Sequence, residues 1–174
     1  MVIAALIPVI ALSWPLLAAV GVATQTVTVS LQPQGKVSVP GGLNLERGPQ
    51  AFAHYTGVLP VSFRIRTAPG MGANITVQAS GEFAPGDGPS LAAGDLTFTC
   101  SPASYGSACT GVQTVSVTSQ RSVVSLPGAA CTGGGGGCSA TDPASVQLNL
   151  QLTNDPSVPT GAYTVPLMFT VSSL

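Results

Sequence analysis

Apolar and polar residues alternate without a break over Val146-Gln147-Leu148-Asn149-Leu150-Gln151-Leu152, and Tyr163-Thr164-Val165-Pro166-Leu167-Met168-Phe169-Thr170-Val171 repeats the pattern. Successive side chains of a strand point to opposite faces. Val146, Leu148, Leu150 and Leu152 therefore make one apolar face, and Gln147, Asn149 and Gln151 a polar one. This predicts a sheet with one face buried and the other in water. Between the two runs, the Pro, Gly and Asx residues of 154–161 can reverse the chain. Pro166 shares the outward parity of Thr164, Met168 and Thr170 and has no N–H, which places the last strand at a sheet edge or at a bulge.

The same period recurs upstream. Residues 25–31 are expected to form the first strand, with Val27, Val29 and Leu31 inward, and residues 36–39 a short second one. After a turn at residues 40–42 and a poorly patterned stretch over 43–57, residues 58–66 resume the alternation. There Val61, Phe63 and Ile65 point in, Arg64 and Arg66 point out, and Pro60 marks the strand's start or an edge. Residues 74–79 read as a half-buried strand, residues 81–94 as a Gly/Pro-rich loop, and residues 95–100 as a strand that puts Cys100 on the face of Leu96 and Phe98. Residues 101–111 are expected to be a hairpin excursion returning through 112–118, with Val115 and Val117 inward, and residues 122–126 one more short strand. Eight or nine strands without helical periodicity after residue 23 predict an all-β, antiparallel two-sheet sandwich; a closed barrel is the rival.

At 174 residues the chain is long enough for one domain with a real core, and its formal net charge is -1. Five basic residues, Lys36, Arg47, Arg64, Arg66 and Arg121, leave no basic footprint for a nucleic acid. Residues 2–23 carry no charged side chain. They read as a signal peptide cleaved before Thr24, or else as a retained hydrophobic segment that would bring a membrane into play, although Pro8 and Pro15 would kink it. The sandwich domain is then 24–174, in a secreted, periplasmic or cell-surface location. Export would oxidise Cys100, Cys109, Cys131 and Cys138. Local pairing, Cys100 with Cys109 and Cys131 with Cys138, is favoured over the nested alternative, and each such short closure contributes about 2–3 kcal/mol.

Candidate chemistry is thin. His54 is the only imidazole, no serine stands in Gly-x-Ser-x-Gly, and disulfide-bonded cysteines are not nucleophiles, so no enzyme is expected. The acids fall in loops or at strand ends, where Asp142-Pro143 and Asp155-Pro156 suit turns. Asp87 and Asp95 lie among glycines but match no calcium loop. Gly133 to Gly137 lacks the Lys-Ser/Thr of a phosphate cradle. Neither a cofactor nor a metal is expected. Arg64 and Arg66 make a small basic patch, and Asn74-Ile75-Thr76 is a glycan acceptor if Asn74 reaches the surface. The best ligand surface is the irregular stretch carrying Phe52, His54 and Tyr55.

The apolar leader, the short alternating strands, Leu96-Thr97-Phe98-Thr99-Cys100 and the ending Thr153-Asn154-Asp155-Pro156, Gly161-Ala162-Tyr163-Thr164 and Phe169-Thr170-Val171 resemble secreted bacterial spore-coat-protein-U-like and pilin-like domains. The resemblance implies an immunoglobulin-like sandwich of a surface coat or fibre, some members of which accept a neighbour's strand. Residues 24–31, with Val27, Val29 and Leu31, would be the donated strand, since strand addition needs an extended alternating segment. The ending Ser172-Ser173-Leu174 departs from the aromatic next-to-last residue of chaperone-assembled pilins. A secreted surface-assembly subunit acting by self-association, or through another secreted surface protein, is the first expectation. An extracellular carbohydrate- or protein-binding module is the second.

Overall fold

The computed structural model describes residues 25–128 and 139–173, with the backbone alone for residues 139–142. The leader, Cys131, Cys138 and the five-glycine run lie outside the described residues. The chain divides into two compact units, residues 1–30 and 31–174. Of the first, residues 25–30 are described; they join no ladder. The strand expected over 25–31 is thus in neither sheet, and Val27, Val29 and Leu31 are 79%, 71% and 69% exposed instead of inward. Alternation fixes which side chains share a face, and burial needs in addition a neighbour to cover it.

Among the described residues of the second unit there are ten strands: β1 (Gln34–Ser38), β2 (Glu46–Arg47), β3 (Tyr55–Arg66), β4 (Ala73–Ala79), β5 (Leu96–Cys100), β6 (Ser107–Ala108), β7 (Gln113–Thr114), β8 (Arg121–Leu126), β9 (Ser139–Leu152) and β10 (Leu167–Ser173). One sheet runs β1-β3-β9-β5-β7, with β2 added to the other end of β3, and the second runs β10-β4-β8-β6. All the pairings are antiparallel. The two sheets form a sandwich-like arrangement, as the one-sided strands require.

Register explains the core. Leu59, Val61 and Phe63 of β3 stand opposite Leu148, Val146 and Ala144 of β9, and Leu150 of β9 stands opposite Phe98 of β5. These inward residues share one buried cluster with Ile75 and Val77 of β4 and Val123, Val124 and Leu126 of β8. Each large aliphatic or aromatic side chain so buried stabilises the fold by about 1.5–3 kcal/mol. The central strand β4 also carries polar groups, and they are paired: Thr76 Oγ1 donates to Gln120 Oε1 at 2.9 Å, and Gln78 Nε2 to the Val117 carbonyl at 2.7 Å. Asn74, of the Asn-Ile-Thr tripeptide, is half-buried in the same strand and accepts from Ser122 Oγ at 2.8 Å.

Three expectations shift. β3 begins at Tyr55, so Pro60 is inside it. It falls in the gap between the ladder of β2, which ends at Thr56, and that of β1, which reaches Ser62, so that only β9 pairs there. Asp142-Pro143 makes no turn: it lies within β9, where the register against β3 shifts between Phe63 and Ile65. The excursion over 101–111 is not a simple hairpin either. It crosses to the second sheet, pairs as β6 with β8, and only then returns as β7 beside β5. Gly106 at φ 82° allows the crossing, because a Cβ there would collide with the Leu126 side chain.

The expected Cys100–Cys109 disulfide is present, with Cα atoms 5.5 Å apart. It ties the end of β5 in one sheet to the residue after β6 in the other. Cys109 N–H also donates to the Val123 carbonyl at 2.9 Å, so the crossover is held to β5 by the disulfide and to β8 by this bond.

Candidate functional site

β10 ends its sheet: β4 pairs with one side, and no strand among the described residues pairs with the other. Its direction of hydrogen bonding is set just upstream. Thr164 exchanges two 2.9 Å bonds with Ala84, and the Pro166 carbonyl accepts from Ser80 N–H at 3.0 Å. Neighbouring residues of a strand aim their backbone groups to opposite sides, so Val165, Leu167 and Phe169 aim theirs at the outer edge. The same three residues carry the inward, apolar parity. The edge therefore presents a row of hydrogen-bonding groups beside a row of half-buried apolar side chains.

Beside this edge the sheets enclose a groove of about 1040 Å³. Tyr55 and Leu59 of β3 with Leu150 and Leu152 of β9 form one wall, and Tyr163, Val165, Leu167 and Phe169 the other. Leu43 and Leu45 reach over from the loop after β1. Leu45 fits because residue 57 is glycine: a Cβ there would stand 2.7 Å from Leu45 Cδ2. At the opposite end β1 closes the gap, since Gly35 packs so tightly on Val171 that a Cβ would approach its Cγ1 to 2.6 Å.

Polar groups shape the mouth. Tyr163 Oη donates to the Pro159 carbonyl at 2.8 Å, and its ring covers Gly88, leaving no room for a side chain there. Partial burial, and secondarily the Asp87 carboxylate, push the Tyr163 phenol above its ordinary pKa. Asp155 Oδ1 accepts from both Oγ and N–H of Ser157 at 2.7 Å, which lowers its pKa and fixes the turn at 155–158. Glu82 Oε2 accepts from Leu91 N–H at 2.8 Å and Asp95 Oδ2 from Ser90 N–H at 2.7 Å, so both acids fold the 81–95 loop. Among the described residues no three acidic, histidine or cysteine side chains gather as a metal site.

The residues expected at a ligand surface separate. Phe52 is 63% exposed in a turn at φ 56°, and His54 is exposed with its carbonyl accepting from Gly48 N–H at 3.2 Å. Tyr55 is half-buried and lines the groove. Leu43, Leu45 and Val165 belong to the site without having been singled out as site residues. The alternation Leu43-Asn44-Leu45 was the available signal, hidden in a stretch too short for a strand.

No protein-family model matches the chain, and no curated protein matches it in sequence.

Proposed function

We propose that the chain is a secreted, non-enzymatic surface-assembly subunit, of coat, pilus or fibre type, whose sandwich takes up an extended strand of another copy along the outer edge of β10. The observation that carries this reading is the coincidence of an unpaired strand edge with an apolar groove beneath it. An incoming alternating strand would gain main-chain hydrogen bonds from the edge and bury every second side chain in the groove, as in strand addition generally. Residues 24–31 have the composition for it, with Val27, Val29 and Leu31 on one face.

An immunoglobulin-like assignment fits the topology. β1, β3, β9 and β5 take the places of strands A, B, E and D, and β4 and β10 those of C and F. Strand G would then lie beside F, along the outer edge of β10. β8 departs from the pattern: it sits beside the C position yet follows β5 in the chain.

Light scattering on the native exported protein tests the reading. We expect oligomers whose size rises with concentration, and monomers that remain folded when residues 24–31 are deleted or when Phe169 is replaced by Asp. Assembly unchanged by both alterations would sink it.

A further inference from the structure

The few charges of this chain are sorted along the strands. Lys36 and Arg64 stand directly opposite each other on β1 and β3, both exposed, and Arg66 lies two residues on. Three of the five basic residues thus share one end of the sandwich. Like charges placed opposite one another weaken a strand pair, so the monomer gains nothing from this arrangement. One acid, Asp142, has its backbone at this end, in the irregular part of β9. The other acids lie at the opposite end: Glu46 on β2, Glu82 and Asp87 after β4, Asp95 before β5 and Asp155 after β9. Only Arg47 and Arg121 accompany them, and Arg121 Nε is engaged with the Thr114 carbonyl at 3.1 Å.

Two further features coincide with these ends. The groove has its mouth at the acidic end, where Asp87 and Asp155 flank Tyr163 and Val158. The chain enters the sandwich at the basic end, where the Arg66 guanidinium donates to the Gln32 carbonyl at 2.8 and 3.1 Å. Residues 24–31, which carry no charge themselves, are joined to the domain there.

We propose that the basic end of one copy docks on the acidic, groove-bearing end of the next, so that charge sets the polarity and speed of a head-to-tail contact that the strand then locks. This rests on the assembly reading above and adds direction to it. A contact between two different ends is heterologous and repeats without closing unless a rotation completes a ring. Complementary patches act mainly on association rate and on rejecting wrong orientations, and act less as salt rises.

The test uses the full chain in two charge-reversed forms, Lys36→Glu with Arg64→Glu and Glu46→Lys with Asp87→Lys, each checked for a native circular dichroism spectrum. Alone at low salt, each should assemble about tenfold more slowly than the unaltered chain, and the gap should close at high salt. Mixed, the two forms should recover the original rate, because each now carries ends that complement the other. A mixture no faster than its components, or reversed forms that assemble as fast as the unaltered chain, overturns the charge inference while leaving strand uptake intact. An unaltered chain that stays monomeric overturns the assembly reading and this inference with it.

Discussion

β9 and the segment leading into β10 carry the same alternation and end up in different environments. In β9, Val146, Leu148 and Leu150 are buried, Leu148 completely, because β3 pairs on one side and β5 on the other while the second sheet lies across the inner face. Val165, Leu167 and Phe169 have equally apolar side chains and the same parity, yet stay half-buried beside a groove, and Met168 on the outer face is 50% exposed. A period-two pattern thus reports a strand with two unlike faces, and the number of neighbours is decided elsewhere in the chain. The difference between the strands marks where the fold is saturated and where it still has apolar surface to bury.

The comparison can be broken most forcefully at its centre. Leu148→Ala should cost about 3 kcal/mol by urea denaturation, because both flanking strands and the opposite sheet hold the cavity open. Replacing Cys100 and Cys109 by Ser should cost about 2–3 kcal/mol for so short a loop, read the same way, and should loosen β6 before β9 in hydrogen exchange. Phe169→Ala in the monomer should cost only about 1–2 kcal/mol, since the ring is half-buried at the outset. Equal losses for Leu148→Ala and Phe169→Ala would erase the distinction drawn here. The smallest effect concerns the mouth. Hydrogen bonds from Ser157 depress the folded-state pKa of Asp155, so their contribution is present at neutral pH and is lost as pH falls through that lowered value. An NMR titration should show Asp155 ionising below the ordinary aspartate range, and Ser157→Ala should move it back up.

Much of the sandwich was legible from alternation, and the parity of Val61, Phe63, Ile65, Phe98, Val115 and Leu148 translated directly into burial. β10 is an edge strand, one of the two outcomes expected from Pro166, but Pro166 itself precedes the strand and turns its carbonyl toward the β4 side, so its missing N–H is not what leaves the outer edge open. What escaped were properties that depend on partners distant in sequence. Nothing in residues 25–31 tells that no strand among the described residues pairs with them, and nothing in 101–111 announces a passage from one sheet to the other. Asp142-Pro143 has the composition of a turn, but the long ladder of β9 absorbs it as an irregularity. The groove was foreshadowed only in part. Its β10 wall follows from the edge assignment, whereas Leu43 and Leu45 become wall residues through the close approach that Gly57 permits.

The contact between Gly35 and Val171 has a geometric corollary. Because β1 crowds β10 there, a strand added as proposed would find open edge only from about Tyr163 to Phe169, and seven residues at roughly 3.3 Å each span about 23 Å. Under the proposed strand uptake, the sandwich would measure the segment it received: a longer one would have to leave the sheet where β1 begins. Widening residue 35 would shorten the gauge, and trimming Val171 would lengthen it.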